Sequence, residues 1–240
     1  MRGTVTNAET PRGHARAGCT LAATAAVVAS VGDLMMLYVA NAGRPELGLV
    51  AAPAAVLWIG ALLGVVAIPL YVLGYRGAAA LVAGCSARDA RVIAGAGAVG
   101  SILGAVIHGC TALFIRDGLS SGVPAQDPLI ALGASPLLVA LWAVAALLIV
   151  GASISFARVL LLAVAGAPRT LAWMNPALVT ILFSLLGSAT LLLRSFLVPA
   201  APNLAHVVFF AACARVLRVA GPQRPWASTR LCRPDRPPSS

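Results

Sequence analysis

Six long apolar runs constrain this chain more than any other feature: residues 19–40, 50–73, 92–114, 135–160, 174–197 and 203–219, separated by short polar segments. Crossing a hydrocarbon core about 30 Å thick takes roughly 17–25 predominantly apolar residues in a helix, so each run is long enough, the last being the shortest. Backbone inside a bilayer must satisfy its own hydrogen bonds, and runs of this length without alternation select helices over barrel strands. The expected fold is all-α, a six-helix transmembrane bundle occupying residues 19–219. Composition agrees, because 60% of the 240 residues are hydrophobic and only 10% charged, against roughly 45–50% and 25% in soluble domains.

A net charge of +10 would suggest nucleic acid if read alone, but the positions of the charges argue otherwise. All 17 basic residues are arginine, gathered in the short segments between apolar runs. With the N-terminus in the cytoplasm, Arg44, Arg116 and Arg194 fall outside and every other arginine inside, which is the positive-inside pattern. Both termini are therefore expected in the cytoplasm: a tail over 1–18, and an Arg/Pro-rich disordered tail over 220–240 whose arginines suit anionic headgroups. The run from Cys19 exceeds the 7–15 apolar residues of a signal peptide, so it reads as an uncleaved first helix. The expected partner is the lipid bilayer, with no nucleic acid; the oligomeric state is not legible.

Pro45, Gly77, Pro124, Pro128, Pro168 and Pro199 are the expected breakers between helices, and Pro136 and Pro176 sit where helices start. Gly60 and Gly64, and likewise Gly100, Gly104 and His108, recur at four-residue spacing and mark faces where another backbone can approach.

Ionisable side chains inside a span are costly and face the bundle interior. Asp33, His108, Arg194 and His206 are the four, in the first, third, fifth and sixth runs. Counted at about 1.5 Å per residue from the outer ends of those runs, all four fall in the outer half. Ser30, Thr111, Thr190 and Asn203 lie three or four positions from them on the same helix faces. Trp58 falls at similar depth, and Glu46 in the first outer loop is placed to cover the mouth. The expectation is an outer-half polar pocket with Asp33, His108 and His206 as acid and base, and Arg194, Asn203, Trp58, Glu46 and Thr111 binding. Asp33 is too short to reach a headgroup and needs a buried partner, for which Arg194 and His206 are the obvious choices. Arg194 would hold an anionic group or keep Asp33 ionised; it could equally reach the outer headgroups. Such a set suits acid/base chemistry on a lipophilic small molecule, or a proton-coupled carrier. A haem-binding or structural subunit ranks third.

Cofactor motifs are missing. There is no HExxH or CxxCH, and without lysine there is no P-loop. Gly95, Gly97 and Gly100 imitate GxGxxG, but inside an apolar run rather than after a strand. Cys19, Cys85, Cys110, Cys213 and Cys232 form no CxxC pair, which argues against a zinc site or a disulfide framework. No cofactor and no metal is expected.

Gly32-Asp33-Leu34, Pro168-Arg169 followed by Asn175-Pro176, and the stretch from Asn203 to Phe210 (NLAHVVFF) resemble landmarks of a bacterial multi-pass membrane family of unknown function, over about residues 20–219. The resemblance implies no activity. It does imply that Asp33, Asn203 and His206 belong to one family pattern. The alanine-rich, lysine-free composition is similar to that of proteins from GC-rich bacteria, which places the expected site in a bacterial plasma membrane.

Overall fold

Alanine and glycine along one side of the first helix set the architecture, because they let three neighbouring helices approach its backbone. The computed structural model describes residues 11–42, 44–120, 135–162 and 169–219. Among these the chain is helical, in the order α1 (Pro11–Asn41), α2 (Ala54–Ala67), α3 (Tyr71–Val82), α4 (Ala87–Ser120), α5 (Pro136–Leu162), α6 (Arg169–Trp173), α7 (Pro176–Gly187) and α8 (Leu191–Val219), with short 3₁₀ turns at Pro45–Leu47 and Ile68–Leu70. The second turn carries α2 into α3 as one rod, Ala54–Val82. Pro69 tightens that junction, since a proline offers no amide to an α-helical ladder.

α1 buries Ala15, Ala22, Ala25, Ala26, Ala29 and Gly32. Gly18, Gly74 and Gly77 extend the close approach: Gly18 lies on the backbone of Leu73, Gly74 on Ala22 and Phe210, and Gly77 on Ala15 and Cys19. Small residues of this kind are what holds helices together where lipid removes the hydrophobic drive. α8 runs antiparallel to α1. Cys19 and Cys213 share one core cluster, Asn203 bonds Asp33, and Ser195 receives Arg44, so the pairing descends on one helix as it rises on the other. Pro11 and Val219 consequently lie at the same end of the bundle.

Five helical stretches, Pro11–Asn41, Ala54–Val82, Ala87–Ser120, Pro136–Leu162 and Leu191–Val219, are long and apolar enough to cross a membrane. Their outer faces are greasy: Leu62, Leu147, Ile154 and Leu162 are each more than 60% exposed, far more apolar surface than a water-soluble monomer shows.

Several boundaries differ from the sequence expectation. The helix expected over 174–197 is α7, only 12 residues, about 18 Å at 1.5 Å per residue. The chain reverses at Ser188–Thr190, not near Pro199. Thr190 takes the amide of Leu193 and starts α8 there, and α8 then runs through both Pro199 and Pro202. Arg194 thus belongs to the last helix, with Asn203 and His206. Gly77 is likewise interior to a helix, serving close packing instead of a break. α1 begins at Pro11, ahead of the expected start at residue 19. Pro136 and Pro176 do open helices, capped by Ser135 and Asn175. Pro124, Pro128, Pro168 and the 220–240 tail lie outside the described residues.

At its start α4 carries a reciprocal cap, in which Ser86 Oγ donates to the Asp89 carboxylate and accepts from the Asp89 amide. Cys19, Cys110 and Cys213 are free thiols.

Candidate functional site

Asp33 projects from α1 beside Gly32, whose missing side chain lets α2 come so close that Gly32 and Gly60 sit backbone to backbone. On the α4 side Gly100, Ser101, Gly104 and His108 line the space beside Asp33. His108 reaches across α2 at Gly64, where an added Cβ would collide with the imidazole.

There His108 Nε2 lies 3.1 Å from the Gly60 carbonyl oxygen and Nδ1 3.2 Å from Asp33 Oδ1. A carbonyl only accepts, so Nε2 carries a hydrogen. The Nδ1···Oδ1 contact then holds together only with a proton between the two atoms, as imidazolium and carboxylate or as imidazole and carboxylic acid. The pair is a one-proton unit of net charge zero.

On its other oxygen Asp33 accepts from Asn203 Nδ2 at 2.7 Å, and Asn203 Oδ1 accepts from the Tyr71 hydroxyl at 2.8 Å. Tyr71 stacks on His206, with centroids 4.8 Å apart. His206 Nδ1 donates to the Pro202 carbonyl at 2.7 Å, which fixes Nε2 as the acceptor of the Tyr75 hydroxyl at 2.8 Å. Phe209, Phe210 and Phe156 close this end in edge-to-face contacts. Tyr75→Phe keeps the ring but strips His206 of its donor, so we expect a loss of about 1–3 kcal/mol, read as a lower midpoint in denaturant unfolding of the solubilised protein.

A cavity of about 810 Å³ lies beside the network. It runs from Phe114, Asp117 and Leu119 at one end of α4 down to Ser101, and Trp142, Ile149 and Ile181 give it largely apolar walls. Asp33, Tyr71, His108, Asn203 and His206 form its polar side.

The expected site residues divide accordingly. Asp33, His108, His206, Asn203 and Thr111 all line the cavity. Trp58, 43% exposed, does not, and Glu46 lies on the 3₁₀ turn paired with Arg44. Its own backbone amide first, and Arg44 second, hold the Glu46 carboxyl below its ordinary value. Arg194 is exposed and away from the cavity lining. The partner of Asp33 is His108, not Arg194 or His206. The buried arginine is Arg44, bonded to Asn41 at 3.1 Å, Ser195 at 3.4 Å and Glu46 at 2.8 Å. His206 also sits deeper than expected, about 22 Å from the start of α8 at 1.5 Å per residue, because that helix begins at Leu191. Tyr71 and Tyr75 escaped the sequence reading, since a tyrosine in an apolar run carries no signal of its own. Ligation by His108 and His206 together would require breaking one protein contact at each ring. Among the described residues no three His, Cys, Asp or Glu side chains form a metal-binding group.

A model described as "Family of unknown function (DUF6796)" matches residues 16–219, a span that contains the whole network. The chain belongs to DUF6796. The sequence resemblance to a family of unknown function over about 20–219 agrees with that match. No curated protein and no solved structure matches this DUF6796 chain.

Proposed function

We propose that the protein is a multi-pass protein of a bacterial plasma membrane that binds a lipophilic small molecule in the α1–α4–α5–α7–α8 cavity and exchanges a proton with it through Asp33 and His108. The observation that carries the reading is the one-proton Asp33–His108 pair on the polar side of an otherwise apolar cavity. Such a pair offers an acid and a base at once without adding net charge.

Orientation follows from arginine. Nine of the twelve described arginines lie at the end that holds Pro11 and Val219, and Arg44, Arg116 and Arg194 at the other. The positive-inside bias puts the first end in the cytoplasm and opens the cavity, at Asp117 and Leu119, outward. In this reading α6 and α7 together make the fifth of six passes, and α8 the last. A cysteine replacing Gly48 should label from outside intact cells with an impermeant maleimide; labelling only after lysis reverses the topology.

The binding reading is tested by filling the cavity. Ala146 lines it, and Ala146→Trp should deplete small lipophilic molecules that co-purify with the wild type, identified by mass spectrometry, while the unfolding midpoint holds. An unchanged profile counts against the reading. A proton-coupled carrier is the second reading, favoured by the half-length α7, since a broken pass beside a polar site is a carrier trait. Loss of pH-driven uptake by sealed vesicles in Asp33→Asn would select it over an enzyme.

A further inference from the structure

The polar side of the cavity dictates the head group it accepts, an inference that rests on the binding reading above. Both nitrogens of His108 and both of His206 are engaged by protein. The Tyr71 hydroxyl proton goes to Asn203, that of Ser101 to the Gly97 carbonyl at 2.6 Å, and that of Thr111 to the Ile107 carbonyl at 2.8 Å. Around Asp33 the wall therefore offers chiefly lone pairs, on Asp33, Tyr71 and Ser101, beside the remaining amide hydrogen of Asn203. Charge points the same way. Among the described residues no arginine lines the cavity, whereas Asp33 and Asp117 do. An anion brought there meets the carboxylates of Asp33 and Asp117 and no arginine, with His108 already paired to Asp33, a costly arrangement in apolar surroundings.

We infer that the cavity takes an uncharged or cationic lipophilic molecule whose head donates a hydrogen bond, an alcohol or an amine. The head sits at Asp33 and His108, and the tail runs past Trp142 toward Phe114 and Leu119. The two head groups differ in their proton balance. An alcohol leaves the shared proton in place. An alkylammonium brings its own positive charge to a pair already holding one proton, so that proton departs to solvent: one H⁺ released per ammonium bound, with Asp33 ionised and His108 neutral in the complex.

Decanol, decylamine and decanoate, each brominated at the tail end, provide the test. The full chain is held in lipid nanodiscs, and binding is read as quenching of Trp142 fluorescence after subtracting a Trp142→Phe sample. The alcohol and the amine should bind at least about tenfold tighter than ionised decanoate, as expected when an unpaired charge must enter an apolar site. Decylamine affinity should rise about tenfold per pH unit while the pair holds its proton, and decanol affinity should stay flat. Asp33→Asn removes the carboxylate but not the neighbouring hydrogen bonds, so decylamine affinity should fall about tenfold more than decanol affinity. Decanoate binding as tightly as the other two, or tighter, overturns the head-group inference and leaves the binding reading standing. Absence of Trp142 quenching by all three overturns both.

Discussion

Asp33→Ala is expected to destabilise the solubilised protein by about 3–5 kcal/mol, the usual result of removing one partner from a buried pair. The truncation leaves His108 Nδ1 and Asn203 Nδ2 without their shared partner, in a pair whose side chains are only 4% and 12% exposed. The same change frees Asn203 to turn from Tyr71, so the damage spreads toward His206. Asp33→Asn should behave differently. Its amide donates to a neutral His108 Nδ1, and its carbonyl accepts from Asn203, so the cost stays within about 1.5 kcal/mol. Denaturant midpoints of the two variants give the comparison. Equal losses in both would mean that charge, not hydrogen bonding, holds the pair, and no loss in Asp33→Ala would mean that α1 and α4 are not joined there.

Gly60→Ala should cost about 1–3 kcal/mol by overpacking, although alanine is the better helix former. A Cβ at Gly60 would lie 2.7 Å from the Gly32 carbonyl oxygen and 3.0 Å from Met35 and Met36. Backbone cannot swing aside as a side chain can. Gly60 also supplies the carbonyl that orients His108, so pushing α2 away loosens the Asp33–His108 contact as well as the packing. Gly95 is the control: a Cβ there meets nothing within 4 Å, and Gly95→Ala should be neutral or stabilising by up to about 1 kcal/mol. Thermal unfolding of the two alanine variants side by side separates packing from propensity. A Gly60→Ala protein as stable as Gly95→Ala would rule out the tight α1–α2 crossing.

Asp33, His108 and Asn203 were legible as side chains that meet inside the bundle because a polar side chain in an apolar run has to find company. Which company was not legible. The sequence put Arg194 inside an apolar run and Arg44 between two such runs, yet the fold buries Arg44 against Asn41 and Ser195 and leaves Arg194 exposed. Tyr71 and Tyr75 look ordinary on α3 until α8 lays His206 across them.

Helix breaks show the same division. Pro136 and Pro176 start helices because the first amides of a helix have no internal partner to lose, a local fact that any sequence reveals. Pro199 and Pro202 deprive the carbonyls of Ser195 and Val198 of their partners, and whether a helix survives that depends on its neighbours. Here α8 continues, packed along α1, and the reversal falls at Thr190. By itself, the sequence determined an all-helical chain with apolar helices long enough to cross a membrane and a few polar side chains that must meet inside it, since hydropathy and the cost of burying charge are local properties. Only the tertiary structure decided that Asp33 pairs with His108, that Asn203 and Tyr71 join Asp33 to His206, and that Arg194 lies off the cavity lining, since these depend on which small residues let which backbones touch.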